Sequence, residues 1–154
     1  MELDPTTDLT FTREINVSPA LLWECWTTPK HVKAFFVPKP HKVTDCEIDL
    51  RPGGRFNTAF EVDGKTMTNA GVFLEIIDQR KLVFTDAYSE GWKPAPDPFM
   101  TAIVEFQDNG AGGTIYTATA RHRSADARKT HEDMGFFDGW GTVADQLAAY
   151  AKTL

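Results

Sequence analysis

The sequence predicts an α+β domain in which a curved antiparallel sheet of about seven strands wraps around one long C-terminal helix, with two short helices after the first strand. Three observations predict it. Seven stretches with a strand-like pattern are separated by turn signals, and every connection between consecutive strands is short enough for antiparallel pairing. Ser18-Pro19 and Thr28-Pro29 mark helix boundaries close behind the first of them. The last stretch changes period: Phe136, Trp140, Val143, Leu147, Tyr150 and Leu154 fall at alternating spacings of four and three, the seam of a packed helix.

The elements follow in order. Leu9, Phe11, Arg13, Ile15 and Val17 sit at every second position, a strand period. Ser18 then offers an N-cap oxygen, and Pro19 suits the first helical position because its missing N–H would be unpaired there. The helix Pro19–Trp26 carries Leu21, Leu22, Cys25 and Trp26 as an apolar stripe, and Thr27-Thr28-Pro29 stops it. A second short helix, Lys30–Phe35, ends before Val37-Pro38. Strands are expected over His41–Leu50, Arg55–Val62, Lys65–Ile77, Lys81–Tyr88, Phe99–Gln107 and Thr114–His122. Arg51-Pro52-Gly53-Gly54 is a turn, and Asp63-Gly64 is a two-residue hairpin turn whose central positions want positive φ. Gly71 inside its strand marks a bend or bulge. Pro94, Pro96 and Pro98 make Ser89–Pro98 a loop, since proline cannot continue a ladder. Asp126–Leu154 is expected to be one helix.

The bulk numbers exclude several classes. A chain of 154 residues, 42% hydrophobic and 25% charged, is about one domain long and can bury a real core, so residues 1–154 are read as a single domain. Sixteen Lys and Arg against 22 Asp and Glu give a formal charge of −6, which disfavours nucleic acid and anionic membranes as partners. Cys25 and Cys46 have no ligand spacing and read as reduced cytosolic thiols. The first residues lack a signal pattern, and no apolar run approaches the ~20 residues of a membrane helix. A cytoplasmic location is expected. The four histidines, His31, His41, His122 and His131, show no metal-ligand spacing, and neither a metal nor a cofactor is expected. No nucleophile elbow surrounds Ser89 or Ser124, and Gly110-Ala111-Gly112-Gly113 joins two strands, so it is a hairpin loop and not a phosphate cradle.

A curled sheet and one covering helix need not meet along the whole helix, and a cavity forms where they diverge. That geometry points to a small hydrophobic ligand. The order of Ser18-Pro19 with Leu22-Trp23, Thr27-Thr28-Pro29, Asp49-Leu50-Arg51-Pro52-Gly53-Gly54, and Gly139-Trp140 with Leu147 resembles the START/Bet v 1-like (SRPBCC) superfamily from about Leu9 to Leu154. More narrowly, it resembles the branch named for the activator of heat-shock protein 90 ATPase, also labelled polyketide cyclase-like. The resemblance implies the helix-grip fold and, for function, binding of lipids, sterols, polyketides or hormones, with cyclisation or hydrolysis in some members. In the namesake co-chaperone the similar domain is one part of a larger protein; a single domain favours small-molecule binding over that role.

Candidate wall residues are Phe35, Phe36, Phe56, Phe60, Phe73, Phe84, Tyr88, Trp92, Phe99, Tyr116, Met134 and Phe137. Aromatic side chains suit a pocket because they are rigid and bury large areas, although each of them also suits a core. Ala118 and Ala120, on one strand face with Tyr116 and His122, leave volume for a ligand unless Phe136 or Trp140 fills it. Asp86 alternates with Leu82 and Phe84; pointing inward it could serve as a general base, with His122 as its acid–base partner in a cyclase- or hydrolase-like enzyme. A strand end would instead turn it outward. On an unbroken helix His131 lies nearly opposite Trp140, away from a pocket, unless Gly135, Gly139 or Gly141 bends the helix. A third reading, a protein-interaction module, needs an exposed apolar patch on the outer sheet face or the Trp92–Phe99 loop. A homodimer is compatible with such a domain, and no residue pattern specifies one.

Overall fold

The computed structural model describes residues 2–154. Its elements are β1 (Asp8–Ile15), α1 (Pro19–Thr27), α2 (Pro29–Phe35), β2 (Lys42–Ile48), β3 (Arg55–Val62), β4 (Lys65–Ile77), β5 (Lys81–Thr85), β6 (Tyr88–Ser89), β7 (Lys93–Pro94), β8 (Thr101–Asp108), β9 (Thr114–Arg121), α3 (Ala125–Asp133) and α4 (Phe136–Ala151). Seven strands form one antiparallel sheet in the order β1-β9-β8-β5-β4-β3-β2, and β6 and β7 make a separate small hairpin.

Local chemistry accounts for the boundaries. Ser18 Oγ accepts from Leu21 N–H at 3.2 Å, and Pro19 occupies the first turn, as the sequence predicts. Thr28 is extended between α1 and α2 because Pro29 follows it. At the β3–β4 hairpin Asp63 and Gly64 adopt φ of 52° and 78°, the pair of positive values a tight hairpin turn requires. The Gly53-Gly54 turn docks on β4: Gly53 N–H donates to Phe73 O at 2.7 Å, and Phe73 N–H donates to Gly54 O at 3.0 Å. The sheet register slips between Phe73 and Glu75, next to this insertion.

Two expected elements differ. Lys81–Tyr88 is not one strand. It ends at Thr85, whose hydroxyl accepts from Ala87 N–H at 3.1 Å and so turns the chain, and Tyr88 and Ser89 then pair with Lys93 and Pro94 inside the expected loop. The single helix Asp126–Leu154 is two helices. Gly135 takes φ of +96°, a conformation side-chain-bearing residues resist, so α3 closes at Met134 and α4 restarts at Phe136. The helix also ends at Ala151, so Leu154 lies exposed beyond the seam.

The core lies between the concave sheet face and the helices. Trp26, Phe35, Phe73, Tyr116, Leu22, Leu82 and Leu147 are all less than 2% exposed. Phe136 packs over Ala120 with Leu9, so a bulky helix residue fills the space above this part of β9. α2 packs on both β2 and α4, whereas α4 reaches the sheet at β1, the opposite edge. Helix and sheet therefore separate toward β2.

Candidate functional site

The separation between α4 and β2 is a recess of about 870 Å³, within the range of small-molecule sites. Ala34, Val37, Pro40, Val43 and Ala149 give it an apolar floor, and Tyr150 closes one end. Gln146 builds its wall: the amide nitrogen donates to Phe35 O at 3.0 Å and Val37 O at 2.8 Å, and its oxygen accepts from Lys39 N–H at 2.9 Å. One side chain thus staples the α2–β2 connection to α4. Tyr150 is oriented by its hydroxyl, which meets His31 Nδ1 at 2.6 Å. At one flank of the recess Arg13 crosses from β1 to an ion pair with Asp145, a lining residue, and to Gly141 O at 3.5 Å. The guanidinium packs close on Gly141, where a Cβ would lie 2.8 Å from it and the arginine would have to shift.

The candidate wall residues divide into three groups. Phe35, Phe56, Phe73, Phe84 and Tyr116 are buried together around Trp26, with Phe36 and Phe60 partly buried at their margin. Their rings pack on one another: Phe56 stacks on Phe73 at 5.2 Å and meets Phe84 edge-on at 4.9 Å, while Trp26 touches Phe35 and Phe36 at 5.3 and 5.7 Å. They back the recess without lining it. Trp26 Nε1 has no hydrogen-bond partner among the described residues, and burial pushes the Tyr116 phenol well above its ordinary range. Tyr88 and Trp92 form an exposed edge-to-face pair at 5.8 Å on the β6–β7 hairpin, with the Trp92 ring lying on Gly53. Phe99, Met134 and Phe137 are exposed near the α3–α4 corner.

Asp86 lies just past the end of β5 and does not continue the face of Leu82 and Phe84. Its carboxylate accepts from Phe99 N–H at 2.8 and 2.9 Å and from Met100 N–H at 3.1 Å, clamping the proline loop to the start of β8. His122 joins His131, the residue the unbroken helix would have pointed elsewhere. His122 Nε2 lies 2.8 Å from His131 Nδ1, and His122 Nδ1 lies 2.9 Å from Thr7 O. The carbonyl accepts, so His122 carries its proton on Nδ1 when neutral and takes the His131 Nδ1–H at Nε2. Phe99 and Phe136 flank His131 at 4.6 and 5.1 Å, and burial, together with the His122 charge, lowers its pKa to about 4. His122 also borders a small cleft of about 230 Å³ with Phe99, Met100, Arg121 and Arg123. Asp86 and the histidine pair thus share the Phe99 loop without sharing a direct contact.

Sequence reasoning missed the recess residues. Gln146 left one signal, a polar side chain one position before Leu147 of the seam, but its partners are backbone atoms of another helix and its loop. Lys39, Val43 and Ala149 carry no pattern that distinguishes them from ordinary surface and edge positions.

A seven-stranded antiparallel sheet gripping a C-terminal helix, with two short helices after the first strand, defines the helix-grip class. Residues 16–152 match the family described as Activator of Hsp90 ATPase homolog 1-like protein, and the chain belongs to that family. A crystal structure of a Nitrosomonas europaea protein is 42% identical, superimposes with a TM-score of 0.94, and the match covers 98% of this chain and 97% of that one. A Mycobacterium smegmatis protein is 27% identical with a TM-score of 0.78, over 94% and 90% of the two chains. A Rhodobacter sphaeroides protein shares the fold, with a TM-score of 0.84 at 16% identity over 99% and 97%. No curated protein matches the chain. Among the described residues no helix is long and apolar enough to cross a membrane, and no group of three metal-ligating side chains comes together.

Proposed function

We propose that this domain binds a small, largely apolar molecule in the recess between α4 and the α2–β2 connection, as a carrier or sensor. The observation that carries it is the recess itself: about 870 Å³ with an apolar floor, held open by the Gln146 staple where helix and sheet diverge. Apolar contact supplies affinity in such a site, and a few polar groups set orientation. The aromatic cluster behind it makes the floor stiff, which lowers the ordering cost of binding. The enzymatic reading is weaker, because the Asp86 oxygens already accept backbone N–H groups and both His122 nitrogens are engaged.

The test is a ¹H–¹⁵N NMR titration with small amphiphiles, decanol, decanoate and 1-naphthol, on the native chain and on Ala149→Trp. Ala149 is exposed on α4, so the indole fills the recess without entering the core. Saturable shifts centred on Ala34, Val43, Gln146 and Ala149 that vanish in the variant are expected. If no probe gives localised, saturable shifts there, the proposal fails.

A further inference from the structure

The recess has a chemical bias that its apolar floor does not explain. Lys33, Lys39, Lys42 and His41 all border it, in a chain whose formal charge is −6. Its one acidic lining residue, Asp145, is engaged by Arg13. Lys42 stands opposite Glu61 in the β2–β3 register, yet none of the three lysines joins an ion pair among the described residues. Lys30, Lys65, Arg80, Lys93 and Lys152 likewise join no ion pair among the described residues, so what sets Lys33, Lys39 and Lys42 apart is that all three border one apolar concavity. Three unpaired ammonium groups around one apolar concavity concentrate positive potential where the rest of the surface is acidic.

The Gln146 staple adds a geometric constraint. It fixes the backbone at Lys39 against α4, so the lysine rim is attached to the recess wall and does not drift with a free loop. Lys33 projects from α2 and Lys42 from β2, which places the three amines on separate elements around the opening. Lysine is a compact point charge on a flexible stem, and three such groups can meet one anionic head in several poses without the fixed fork that arginine imposes.

From this the geometry points to an amphipathic monoanion as the ligand class, an apolar body carrying one carboxylate, with its body on the Ala34, Val43 and Ala149 floor and its head at the Lys33, Lys39 and Lys42 rim. The inference rests on the proposed recess and adds the charge to it. The neutral part of the ligand supplies buried area, and the rim selects the acid over its alcohol. Exposed ion pairs contribute modestly, so two lysines together account for roughly a tenfold preference.

The experiment compares decanoate with decanol by NMR titration and isothermal calorimetry on the native chain and on the double variant Lys39→Gln/Lys42→Gln. Decanoate is expected to bind about tenfold tighter than decanol at low ionic strength, with the gap closing as sodium chloride is added. The variant should lose that preference and keep its native spectrum. Equal binding of acid and alcohol, or a preference untouched by the variant, overturns the charge assignment while leaving the recess reading intact. Failure of both probes to shift the recess resonances overturns the recess reading itself.

Discussion

Acidification should destabilise this protein through one residue. His131 is 7% exposed, lies against Phe99 and Phe136, and donates to His122, so its neutral form suits the folded state and its charged form does not. Its pKa falls from 6.5 to about 4 on burial, with the His122 charge adding to the effect. The unfolded chain therefore binds more protons than the native one between those two values. The slope of stability against pH is positive there, and stability is lost as pH falls from about 6.5 towards 4. At ~1.4 kcal/mol per pH unit of displacement, the full loss is about 3 kcal/mol, and most of it is reached by pH 4.5. Urea denaturation of the native chain and of His131→Gln, run from pH 7.5 to 4.5, isolates the effect. The nearby ion pairs Asp8–Arg121 and Glu132–Arg128 are present in both proteins, so the difference between the two profiles reports His131. The variant is expected to be less stable at neutral pH and to have a profile flatter by about 2 to 3 kcal/mol across the range. Parallel profiles would refute the reasoning, as would an NMR titration placing the His131 imidazole at an ordinary value.

Two other predictions concern a carboxylate the sequence offered as a base and the two thiols it left as ordinary. Asp86→Ala removes the acceptor for Phe99 and Met100 N–H and should cost about 1–2 kcal/mol in urea denaturation, whereas Asp86→Asn keeps an acceptor and should recover much of it. Equal losses in both variants would mean that charge, and not the clamp, is what the position supplies. Cys25 and Cys46 are buried, and burial pushes each thiol up to about 11, so at neutral pH both should react with an aromatic disulfide reagent at least ~100-fold slower than in the unfolded chain. Stopped-flow absorbance in native buffer and in urea measures the ratio.

The sequence by itself determined the elements whose causes are local. Ser18-Pro19 starts a helix because both the cap oxygen and the proline act within one turn, and Asp63-Gly64 turns the chain because two adjacent residues accept positive φ. The strand alternation and the four-three seam fixed which faces are apolar, since those periods follow from backbone geometry alone. Tertiary structure decided the rest. Whether Gly135 bends a helix depends on what α3 gains by docking; here it gains the contact of His131 with His122, on the preceding strand end, and with the Phe99 ring, which is distant in sequence. Asp86 alternates correctly for an inward carboxylate, yet Thr85 ends the strand and two N–H groups thirteen and fourteen residues away take up its oxygens. Most of the aromatic residues that suggest a pocket pack on one another instead, because each ring buries a large rigid face against its neighbours. One open space lies at the α4–β2 separation, where Gln146 bonds to carbonyls over a hundred residues distant and no pattern along the chain could announce it.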